Sequence, residues 1–85
     1  MVSYVRQMEV CDSILKRMKQ ELARSSDSSI RQKANKLPTT DAVLRTVSLV
    51  TGLETEERLK DFITEYVLGV LNLTERQKEQ LNRDS

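Results

Sequence analysis

The chain has 85 residues, of which 32% are charged and 38% hydrophobic, and its formal net charge is +1. One small domain is expected, and the charge balance by itself demands no polyanionic partner. A lone cysteine, Cys11, and no histidine exclude an intrachain disulfide and a conventional zinc site, so of the usual supplements to a small core only oligomerisation remains.

The first segment, about Tyr4 to Arg24, carries a heptad pattern. Met1, Met8, Leu15 and Leu22 fall seven apart, and Tyr4, Cys11 and Met18 do the same with an offset of three. These are a and d positions, with Gln7, Asp12, Lys19 and Glu21 dressing the flanks. Val5 and Ile14 widen the stripe, a width that also suits a helix lying on a globular core. The seam Met1, Tyr4, Met8, Cys11, Leu15, Met18 and Leu22 is the expected protein interface, for self-association or for a helical partner.

Residues 25–29, Ser-Ser-Asp-Ser-Ser, break that helix, because their side chains compete for backbone hydrogen bonds. Ser28 or Ser29 is expected to cap a short helix over about 30–36, ended by Pro38. Thr39 or Thr40 caps the next, whose stripe is Val43, Leu44, Val47 and Val50, with Gly52 as its stop. Thr55 caps a further helix in which Leu59, Phe62, Ile63, Tyr66, Val67 and Val70 keep a 3.6-residue period to about Leu71. Thr74 and Gln77 match a capping box before a last helix of about two turns carrying Leu81. The fold expected is all-α: a bundle of four to five helices with a long N-terminal heptad-patterned helix, partly outside the compact part. Residues 1–24 form that coiled-coil-like helix, 25–29 the serine-rich loop and 30–85 the compact bundle, one domain overall.

Little catalytic chemistry is legible. Cys11 has no histidine to activate it and reads as a small buried hydrophobe. Glu57, Asp61 and Glu65 line one face of a helix, extended by Glu54. They lack the tight loop or several elements that oxygen-ligand metal sites draw on, so the stripe reads as solvated or as facing a basic surface. With no nucleophile–base pair, phosphate-cradling loop or cofactor fingerprint, no catalytic, cofactor or metal residue is expected, and the chain does not read as an enzyme.

The stretch Lys16–Arg45 holds eight cations against Glu21, Asp27 and Asp41, a local excess of five positive charges. Lys16, Arg17, Lys19, Arg24, Arg31, Lys33 and Lys36 are therefore candidate nucleic-acid contacts, although no aromatic residues are interleaved for stacking. Val43–Phe62 resembles a helix-turn-helix only weakly, since Glu56 and Glu57 would face phosphates. No apolar run approaches the roughly 18 residues of a membrane span. Arg6, Glu9 and Asp12 interrupt any signal-peptide core. An intracellular, cytoplasmic interaction module is the expected function: an oligomerising adaptor, a regulator or an assembly domain. The alternative is a dimeric nucleic-acid-associated regulator.

Overall fold

A computed structural model describes residues 2–47 and 55–84, all of whose regular elements are helical. Helix α1 runs Tyr4–Ala23, α2 Ser28–Lys33, α3 Thr40–Val47, α4 Glu56–Leu71 and α5 Glu75–Asp84. A 3₁₀ turn, Ala34–Lys36, continues α2. Met1, Ser48, Val50, Gly52, Leu53 and Glu54 lie outside the described residues.

Local chemistry sets most boundaries. Ser3 caps α1, its Oγ accepting from the Arg6 amide at 3.3 Å. Asp27, not Ser28 or Ser29, caps α2: its carboxylate accepts from the Ser29 amide at 2.8 Å and from the Ser29 hydroxyl at 2.7 Å. A carboxylate is an acceptor only, so it takes the cap, while Ser29 becomes a donor to it. Leu37 is extended, as the residue before Pro38 must be. The Thr39 Oγ accepts from the Ala42 amide, and the Thr55 Oγ from the Arg58 amide, each at 3.2 Å. Helix α4 stops at Asn72, which takes the left-handed conformation (φ 52°) and donates its amide to the Leu68 and Gly69 carbonyls. The capping box at α5 is reciprocal, Thr74 amide to Gln77 at 2.9 Å and Gln77 amide to Thr74 at 3.1 Å. Helix α5 is ten residues long, close to three turns, longer than its sequence period indicates.

Helix α1 is the central strut. It packs on α2, the 3₁₀ turn, α3, α4 and α5, and it contributes Val10, Cys11, Ile14 and Leu22 to the core. In its first turn Tyr4 and Val5 are 60% and 66% exposed, while Val2 just before it is buried and Arg6 pairs with Glu56 of α4. Without α1 the remaining short helices would have little to close on, which is why the heptad face turns inward along most of its length. Helix α3 adds Val43, Leu44 and Val47.

Helix α4 buries a single i, i+4 row: Leu59, Ile63, Val67 and Leu71. Phe62 and Tyr66, which the sequence period puts at the centre of the apolar stripe, are half-buried beside that row, and Val70 is 46% exposed. A bundle only 19 Å across its two short axes covers one row of a helix and leaves the next at its margin.

The serine loop is tied down rather than free. The Asp84 carboxylate, from the last turn of α5, accepts from the Ser25 hydroxyl at 2.8 Å, the Ser26 amide at 3.2 Å and the Ser26 hydroxyl at 3.3 Å. Gln80 and Gln77 donate to the Ser26 and Ser29 hydroxyls. Helix α5 has no buried residue of its own, and half-buried Leu81 is its apolar contact, so these polar contacts hold its far end.

Candidate protein-docking site

The expected seam divides once the chain is folded. Cys11 and Leu22 are buried against the protein's own helices. Met8, Leu15 and Met18 are half-buried on the core margin, and Tyr4 is exposed. The heptad spacing does not distinguish a partner helix from the chain's own α2, α3 and α4, and here the inner half of the seam closes on the latter.

Leu15 opens onto a groove of about 500 Å³ between α1 and the 3₁₀ turn. Its apolar lining is Leu15, Ala34, Leu37 and Pro38, and its polar rim is Asp12, Lys16, Lys19 and Asn35. Helix α1 presents Asp12, Leu15, Lys16 and Lys19 there because positions three and four apart share a face. The fixed backbone at Leu37–Pro38 supplies the opposite wall. Asp12 is engaged, accepting from the Thr40 hydroxyl. Lys16 and Lys19 are exposed, without an ion pair or hydrogen bond among the described residues. The groove thus combines apolar walls with a rim of net positive charge, Lys16 and Lys19 against Asp12. It joins two sets that the sequence leaves separate, the heptad seam at Leu15 and the basic stretch at Lys16 and Lys19.

The other basic candidates divide. Lys33 Nζ donates to the Leu71 carbonyl at 2.8 Å, and Arg31 donates to the Ser25 carbonyl at 2.8 Å. These two serve the fold. Arg17, Arg24 and Lys36 are exposed. A second groove, about 570 Å³, lies between α1 and α4 and brings Lys60 beside Lys16 and Arg17, a contribution that distance in sequence conceals. On its rim Arg6 pairs with Glu56 and, at 3.2 Å, with Glu9. The Arg6 hydrogen bond pulls the Glu56 carboxyl below its ordinary range. Glu57, Asp61 and Glu65 are exposed, with no ion pair or hydrogen bond among the described residues. The turn of the weak helix-turn-helix resemblance lies outside the described residues. Leu59 is fully buried in the core, and Glu56 and Glu57 occupy the first turn of α4.

Among the described residues there is no cluster of three or more metal-binding side chains, and no helix is long and apolar enough to cross a membrane. Fold and surface together define a small helical bundle with grooves flanking its central helix. Comparison with protein-family models, curated proteins and solved structures gives no match for this chain.

Proposed function

We propose that this protein is an interaction module that binds a helical or extended segment of another protein in the groove between α1 and the 3₁₀ turn. The observation that carries the reading is Leu15, half-buried at the wall of a groove that the exposed cations Lys16 and Lys19 also line. Apolar grooves of this kind accept the apolar face of an amphipathic segment, and the rim selects its charge. The partner segment is acidic, with one or two aliphatic or aromatic anchors for the Leu15, Leu37 and Pro38 walls. The exposed first turn, Tyr4 and Val5, extends the apolar surface of the same helix.

A peptide-display selection on the immobilised protein tests this. Enriched peptides should combine carboxylates with apolar anchors. They should lose binding to Leu15→Asp and weaken on Lys19→Glu. Peptides that bind both variants as well as the parent would overturn the reading.

A second reading, nucleic-acid binding, draws on the exposure of Lys16, Arg17, Lys19, Arg24 and Lys36. A salt titration of labelled DNA and RNA decides it, because phosphate contacts give a steep salt slope. Arg31 and Lys33 also donate to backbone carbonyls, which fixes their positions and leaves their charge in place.

A further inference from the structure

We propose that a second copy of this chain docks in the groove between α1 and α4, each copy laying its acidic α4 stripe against the other's basic groove.

The groove has a floor of Val10 and Ile14 and three cations, Lys16, Arg17 and Lys60. Arg6 and Glu9 also line it, but they are paired, to each other and, for Arg6, to Glu56. The three remaining cations have no ion pair or hydrogen bond among the described residues. Their complement is the equally unpartnered set Glu57, Asp61 and Glu65, flanked by the exposed Arg58. Like charges four apart on a helix repel by a few tenths of a kcal/mol per pair, and an opposed basic surface removes that cost. With Arg6 set against both Glu9 and Glu56, the groove and its rim carry a net two positive charges, and these stand beside the three carboxylates of the stripe on a chain whose net charge of +1 offers little overall repulsion between copies.

The adjacency of the two faces is what selects a second copy over a foreign partner. Lys60 belongs to the groove, and Asp61 and Glu57 lie one and three residues away on the same helix. A two-fold rotation can then bring each groove opposite the other copy's stripe, making both contacts at once and closing the pair. An acidic foreign segment would satisfy the groove and leave the stripe uncompensated. Contacts between exposed charges are individually weak and screened by salt, so the pair is expected to be salt-sensitive.

This inference does not rest on the Leu15 groove. Lys16 borders both grooves, so the test leaves it intact. Sedimentation equilibrium is run at low salt and at about 0.15 M, where the screening length falls to about 8 Å. The parent should dimerise, more tightly at low salt. Arg17→Glu/Lys60→Glu alone and Glu57→Lys/Asp61→Lys alone should each weaken dimerisation by about tenfold or more, because like charges would then face each other. An equimolar mixture of the two should regain the parent's affinity, since both contacts of a mixed pair are again complementary. Circular dichroism checks that helicity is retained; if a reversal variant unfolds, Arg17→Gln/Lys60→Gln should still weaken the dimer. Leu15→Asp and Lys19→Glu should leave it unchanged. A parent monomeric at low salt, mass growing beyond the dimer, or a mixture that stays monomeric would each overturn the proposal.

Discussion

Lys33 Nζ donates a hydrogen bond to the carbonyl oxygen of Leu71 at 2.8 Å, tying the end of α2 to the end of α4 across 38 positions of sequence. The last carbonyls of a helix lack intrahelical partners, and a cation there also meets the negative end of the helix dipole. Lys33 therefore does for α4 what no residue of α4 does, since that helix has no basic residue in its last turn.

Lys33→Met should lower unfolding stability by about 1.5–3 kcal/mol in urea denaturation, the range for losing a hydrogen bond to a charged group. Lys36→Met, at an exposed neighbour, should stay within about 0.5 kcal/mol. Equal effects would mean that Lys33 is a surface charge like any other.

The buried row of α4 makes a contrasting pair. Ile63→Ala should cost about 2–5 kcal/mol, as for any fully enclosed aliphatic side chain. Phe62→Ala should cost no more than about half of the 3–5 kcal/mol typical of a fully buried aromatic, because Phe62 is half-buried. Denaturation midpoints at unchanged slope would measure both, and a larger loss at Phe62 would put the core on the wrong row.

The residues that misled the sequence reading share a physical reason. Caps, stops and the capping box depend on neighbours within four positions, and those at Thr39, Thr55 and Thr74 are legible locally, whereas the caps at Ser3 and Asp27 and the left-handed stop at Asn72 emerge only in the structure. Tertiary closure is not local. A period of 3.6 marks Phe62 and Ile63 as equally apolar-facing, and only the arrival of α1 and α3 decides which row is covered. The same limit governs the seam, where spacing is silent on whether Cys11 meets another chain or the core of its own. The α1–α4 groove was invisible because Lys16 and Lys60 are separated by most of the chain, and the role of Asp84 because its partners lie 58 and 59 residues away.

Asp84 gives a pH prediction. Hydrogen bonds from Ser25, first, and then from Ser26 and Gln80 hold its carboxyl below the ordinary range, and Asp27 and Glu56 are lowered for similar reasons. A carboxyl depressed in the folded state contributes stability above its unfolded pKa, and that stability is lost as pH falls through the folded value. The melting temperature should therefore decline below about pH 4, near the unfolded carboxylate values. Asp84→Ala should flatten part of that decline and speed amide exchange in α5, leaving Ile63 and Val67 protected. Unchanged exchange in α5 would show that the serine loop does not hold it.

The acidic stripe should bind no divalent cation. Glu57, Asp61 and Glu65 stand on one exposed helix face, with no second element among the described residues to complete an oxygen shell. Calorimetry with calcium and magnesium should give only dilution heats. A micromolar site abolished by Asp61→Asn would contradict this.

Cys11 supplies a probe of the central helix. Its side chain is fully buried where α1 meets the core. Burial raises the thiol pKa, with the neighbouring Thr40 hydroxyl acting in the opposite sense. Since the thiolate is the reactive form, both its low population and its enclosure suppress reaction in the native state. A thiol reagent should label the native protein very slowly, and labelling should rise in step with the unfolded fraction as urea is added. Mild oxidation should yield no disulfide dimer, even under conditions in which the protein self-associates. A pair formed through the α1–α4 groove leaves Cys11 enclosed in each copy, whereas a seam opened to pair with a second α1 would bring the thiol to the interface. Rapid native labelling, or a disulfide dimer at neutral pH, would therefore show that α1 leaves the bundle, and would restore the whole heptad face, Cys11 and Leu22 included, as the contact surface.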